Sequence, residues 1–171
     1  MTTSRIWTRT IAAAAMLAFG VTSAFAGAFE DGANNYKRGN YQSALNNWRN
    51  LSQTDATVQN NIGIIYMGGL YRDGKGVNRD FGKAVTYFSA SAAQGNAAGQ
   101  LNLGLLYMYG QVVRQDLTKA YMWFYLASAQ NLKQAAYNRQ LVATKMNQQA
   151  QLQAHNLAQR CADQNFKGCG A

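Results

Sequence analysis

The sequence predicts an all-α protein, a short α-solenoid of stacked helix pairs with a C-terminal capping helix. Three observations predict it. The 171 residues contain no proline, and 48% are apolar against 13% charged, which suits short helices joined by glycine turns around a real core. The chain repeats itself. Gln59-Asn60-Asn61-Ile62-Gly63-Ile64-Ile65-Tyr66-Met67 returns as Gln100-Leu101-Asn102-Leu103-Gly104-Leu105-Leu106-Tyr107-Met108 at an offset of 41. Gly74, Val77, Asp80, Lys83, Ala84 and Phe88 return as Gly110, Val113, Asp116, Lys119, Ala120 and Phe124 at an offset of 36. The last stretch breaks the repeat and reads as an amphipathic end piece.

Residues 1–26 read as a signal peptide. Arg5 and Arg9 precede an apolar run from Ile11 to Val21, and Ala24-Phe25-Ala26 has the small-x-small pattern that signal peptidase cuts. The run is shorter than the roughly 20 apolar residues a membrane helix needs. Cleavage after Ala26 leaves one domain, residues 27–171, periplasmic or secreted, with no transmembrane segment. It keeps 14 Lys and Arg against 7 Asp and Glu, a net charge of +7.

Three helix–turn–helix units follow, about 28–53, 57–95 and 97–131. In the first, Ala33, Tyr36 and Gly39 match Gly104, Tyr107 and Gly110, while Tyr41, Ala44 and Trp48 match Phe81, Ala84 and Phe88. The small residue Ala33, Gly63 or Gly104 lets the first helix of a unit lie close to the second. Ala44, Ala84 or Ala120 offers the facing flat spot, and the aromatic residues fill the space beside them. Gly39 and Gly110 suit the left-handed helix end, and Asp80 and Asp116 suit N-caps. The change of offset places five extra residues in the turn around residues 68–73 of the second unit. The cap spans 133–171. Lys133 to Met146 continues a helical pattern, and Asn147 caps a final helix from Gln148 to about Asp163. Its Leu152, Leu157 and Ala158 cover the stack, and its glutamines face water.

The run Asn102-Leu103-Gly104-x-x-Tyr107-x-x-Gly110, then Val113-x-x-Asp116-x-x-Lys119-Ala120, then Trp123-Phe124 and a short alanine run, resembles the Sel1-like repeat, a relative of the tetratricopeptide repeat. The resemblance covers roughly residues 29–146. Val112 replaces the usual glycine, Asn131 stands where glycine often follows, and Tyr87 replaces tryptophan in the second unit. The first unit is closer to a plain tetratricopeptide unit. The resemblance implies a protein–protein interaction module, often in bacterial envelopes, whose first helices line a concave groove. Residues two before, one after and five after the small position then point away from the second helix. These are Asp31, Asn34 and Arg38; Asn61, Ile64 and Gly68; and Asn102, Leu105 and Tyr109, with Asn138 in phase. The expected partner-binding set is Asn34, Arg38, Asn61, Ile64, Asn102, Leu105, Tyr109 and Asn138. The asparagines serve either as ligands of a peptide backbone or as ties between repeats.

Catalytic residues are scarce. His155 is the only histidine and Glu30 the only glutamate, with no oriented partner in the sequence around His155. One His and two spaced Cys do not supply a zinc site. Gly74-Lys75-Gly76 lacks the preceding strand and following Ser or Thr of a phosphate loop. Within Tyr121-Met122-Trp123-Phe124-Tyr125, two or three side chains must enter the core, leaving at most Tyr109, Tyr121 or Tyr125 to a partner. The expectation is a non-enzymatic exported adaptor or regulator in the bacterial cell envelope, with no cofactor and no metal. Its partner is an envelope protein rather than nucleic acid, because the basic residues are scattered and export separates them from DNA. Two alternatives stand beside it. One is an envelope enzyme acting on cell-wall or β-lactam substrates. The other is a binder of anionic envelope glycan through Arg72, Lys75, Arg79 and Lys83. Export to an oxidising compartment invites a Cys161–Cys169 disulfide, and exported Sel1-like proteins often carry a similar C-terminal pair. In one straight helix an eight-residue separation is about 12 Å, too far to bridge, so the helix must end between the two.

Overall fold

The computed structural model describes residues 24–68 and 76–169. Residues 1–23, most of the expected signal peptide, and residues 69–75, with Arg72 and Lys75, lie outside the described residues. The described chain is all-helical. Helix α1 is described over residues 24–37, followed by α2 (Tyr41–Trp48) and a single 3-10 turn (Leu51–Gln53). Then come α3 (Ala56–Gly68), α4 (Phe81–Ala93), α5 (Ala97–Tyr109), α6 (Leu117–Ala129), α7 (Lys133–Ala143) and α8 (Gln148–Asp163).

Side-chain oxygens start most of these helices. Asp80, Asn96, Asp116 and Asn147 each accept from the backbone amide three residues on, at 2.8–2.9 Å. Asp55 accepts from Thr57 and Val58 at 2.8 and 2.9 Å. Gly110 and Asn131, both at φ 66°, take the left-handed conformation beyond α5 and α6.

Helices α3 and α4 pair, as do α5 and α6, and α4 packs on α5, so the pairs stack. The inner helices are flattened by glycine. A Cβ at Gly63 or Gly104 would lie 2.6 Å from the ring of Phe88 or Phe124. The nearest atoms are those of the aromatic ring, which the sequence reading places beside the contact. Ala120 is fully buried in a neighbouring cluster with Met108, Phe124 and Val142. The first unit shifts by one residue. Gly32 lies directly against Trp48, whose Nε1–H donates to the Phe29 carbonyl at 3.2 Å, while Ala33 packs on the same cluster.

A polar element also repeats. The Gln94 amide donates to Gln59 Oε1 at 2.6 Å, and Gln130 donates to Gln100 Oε1 at 3.0 Å. These residues are related by the same offsets of 41 and 36, so each pair is bolted by one glutamine pair.

The end of the stack departs from the pattern, since α7 and α8 both pack on α6 instead of forming a pair like the earlier ones. Cys161 and Cys169 are disulfide-bonded, with Cα atoms 5.4 Å apart. The tail between them turns back, with Phe166 donating its amide to the Cys161 carbonyl at 2.8 Å. Its ring covers Gly95, where a Cβ would lie 2.7 Å away. No helix among the described residues is long and apolar enough to cross a membrane.

Candidate partner-binding groove

Helix α3 lies beside α5, and a cleft of about 380 Å³ opens at their C-terminal ends. Ile64 and Met67 of α3 form one side. Leu105 and Tyr109 of α5 form the other, with Phe88 and Leu106 beneath. Phe81 at the start of α4 and Val112 after α5 complete the walls. The walls are open to solvent, with Phe81 41% and Tyr109 62% exposed. Among the described residues, Asn102 and Gln111 are the amide side chains that line it, and the Tyr109 phenol is the one ionisable group.

Four of the eight sequence-predicted residues meet here, namely Ile64, Asn102, Leu105 and Tyr109. Asn102 is also an inter-repeat tie, its Nδ2 donating to Asn60 Oδ1 at 2.8 Å. Asn61 is half-buried on α3 and does not line the cleft. Asn34 and Arg38 are exposed on and just beyond α1, outside it. Their phase was counted from Ala33, whereas the close contact is at Gly32. Asn138 is 5% exposed and accepts from Gln134 at 3.4 Å, so it is withdrawn from any surface. Its helix lacks a paired second helix, and equal spacing along the chain does not give it an equivalent face.

Sequence reasoning missed Met67, Phe81 and Val112. Met67 is three positions after Ile64, on the same helix face, and was legible. Val112 carried a signal too, because a side chain stands where the repeat usually has none.

Beyond Phe81 lies a second, polar cleft of about 490 Å³, lined by Gln42, Tyr66, Asn78, Arg79, Asp80 and Lys83 among others. Lys83 sits 3.3 Å from Asp80 and 5.0 Å over the Tyr66 ring. The Lys83 backbone amide, first of all, holds the Asp80 carboxyl below its ordinary range, and the hydrogen bond to Asp80 raises the Lys83 ammonium. Arg79 stacks over Phe81 at 5.6 Å and donates to the Gly68 carbonyl at 3.4 Å. Of the two described basic side chains assigned to glycan binding, Lys83 is thus paired with Asp80, while exposed Arg79 meets only a carbonyl and a ring. His155 packs edge-on against Tyr125, 4.7 Å between ring centres, with Arg139 at 5.4 Å on the same ring. Among the described residues no three His, Cys, Asp or Glu side chains gather as a metal site.

Residues 59–96 and 97–132 match the Sel1 repeat family. Two Sel1 repeats thus run back to back through residues 59–132. The matched segments contain α3 to α6, and so both walls of the cleft. Sel1 repeats typically mediate protein–protein interaction. A solved structure agrees with the fold. It is the crystal structure of a protective antigen present in uropathogenic Escherichia coli strains, displaying an SLR fold. The likeness has a TM-score of 0.73 at 25% identity and covers 85% of this chain. The present chain spans only 31% of that protein's length. No curated protein matches the sequence.

Proposed function

We propose that this protein is an exported, non-enzymatic adaptor of the bacterial cell envelope that holds a segment of a protein partner in the α3–α5 groove. One observation carries the reading. Ile64 and Leu105 occupy the same position in successive repeats, and both line one apolar cleft. Such a cleft is at the small end of the range for ligand sites, about 300–1,000 Å³, and accepts one or two side chains rather than a broad protein face. Export is supported by the N-terminal pattern, by the disulfide and by burial. Residues 24–27 are exposed, and packing begins with Ala28 and Phe29. A mature domain starting at Gly27 therefore loses none of the core.

The test has two parts. Mass spectrometry of the protein from a bacterial envelope fraction is expected to give an N-terminus at Gly27. A photo-crosslinking amino acid at Leu105 is expected to capture a discrete protein that the same probe at Leu152, exposed on α8, does not capture. Leu105→Arg is expected to abolish binding of that protein without changing the melting temperature. Equal crosslinking from both positions would remove the groove from the reading.

A further inference from the structure

The groove has a charged edge that its lining does not show. Arg79 touches two lining residues, the Phe81 ring and the Gly68 carbonyl. Among the described residues it has no carboxylate partner, and Asp80 next to it is taken by Lys83. Asp55, Asp80 and Asp116 are spent on helix-start amides. Among the described residues the groove therefore combines apolar walls, a cation at one rim and no opposing acid, in a chain whose residues 27–171 carry a net charge of +7.

We infer that the groove selects an extended peptide in which a bulky apolar residue stands next to, or one residue away from, a carboxylate. The apolar side chain enters between Leu105 and Phe81, and the carboxylate pairs with Arg79. This rests on the adaptor reading above and adds the chemistry of the partner. The reach fits. An extended chain advances about 3.3–3.6 Å per residue. A carboxylate one position from an anchor on Phe81 is about 3.3–3.6 Å along the chain and one two positions away about 6.6–7.2 Å, which brackets the 5.6 Å that separates that ring from the guanidinium. Polar groups suit a peptide better than a bare hydrocarbon chain. With its Nδ2 held by Asn60, Asn102 has Oδ1 left to accept a backbone N–H, and the exposed Gln111 amide, just beyond α5, offers a donor. A paired guanidinium and carboxylate at a partly desolvated rim discriminates by charge more than it adds affinity.

The test uses the mature full chain and fluorescein-labelled nonapeptides of Gly and Ser with a central Leu-Glu, Leu-Gln, Leu-Lys or Ala-Glu, read by anisotropy. Leu-Glu is expected to bind at least about tenfold more tightly than the other three, less so as salt rises. Arg79→Glu is expected to reverse the preference toward Leu-Lys, and Arg79→Lys to keep it. Equal binding of Leu-Glu and Leu-Gln, an unchanged preference in Arg79→Glu, or no peptide binding would each overturn the inference. So would preferential uptake of dodecanoate, or self-association that Leu105→Arg abolishes, since each assigns the groove another occupant. The adaptor reading stands or falls separately, on crosslinking from Leu105.

Discussion

Trp48 and Trp123 are both buried, yet their indole N–H groups fare differently. Trp48 donates to the Phe29 carbonyl, whereas Trp123 Nε1 has no acceptor among the described residues. Replacement by Phe leaves a cavity in either case. At Trp48 it also forfeits a hydrogen bond, and at Trp123 it removes an unsatisfied donor that burial penalises. Trp48→Phe is therefore expected to destabilise the protein more than Trp123→Phe, by about 1–3 kcal/mol in urea unfolding. Equal losses would mean that the Trp123 N–H finds an acceptor in solution. Single residues also mark how far the sequence could be read. Gly63 and Gly104 announced a close helix contact, because only a missing Cβ explains glycine inside a helix pattern. Spacing along a chain did not say that a large ring, Phe88 or Phe124, seats directly on the gap. Asn102 was legible as a groove residue, but its bond to Asn60 was not. Asn60 aligns with Leu101, so repetition gives no hint of that pairing.

Between elements, the two helices of a unit are joined by a flat glycine under a ring and by a glutamine pair. The first contact is intolerant of volume. Gly104→Ala places a Cβ 2.6 Å from Phe124, and Ala120→Leu adds three carbons to a fully buried site. Each is expected to cost about 1–3 kcal/mol, lowering the melting temperature, while Gly82→Ala on exposed α4 leaves it nearly unchanged. A normal melting temperature for Gly104→Ala would show that α5 and α6 can separate freely. Helix order, caps and the final helix were readable, because N-cap oxygens and apolar spacing are local properties. The placement of α8 on α6 was not, because it depends on which face the previous helix leaves open.

For the whole molecule, the far end is closed by chemistry rather than by another repeat. The tail places Asn165 and Phe166 at positive φ, 51° and 63°, a conformation that costs a non-glycine residue roughly 1–2 kcal/mol. The disulfide and the seat of Phe166 on Gly95 hold it there. Cys161→Ala with Cys169→Ala is expected to destabilise the fold by about 2–3 kcal/mol on the chain-entropy view. Native protein without reductant is expected to show no reactive thiol; two labelled thiols would refute the bond. Another closure has a longer reach. The Asp80 amide donates to the Tyr66 carbonyl at 3.0 Å, and the Asp116 amide donates to the Tyr107 carbonyl at 3.0 Å. Identical clasps thus close connections of unequal length, 14 positions in one case and 9 in the other. By loop-closure entropy the longer one costs only about 0.4 kcal/mol more. The extra residues fall, in sequence, between the two ends of the longer clasp. Descendants of such a chain are free to lengthen, shorten or graft this segment, and so to exchange one clientele for another, while inheriting the scaffold intact.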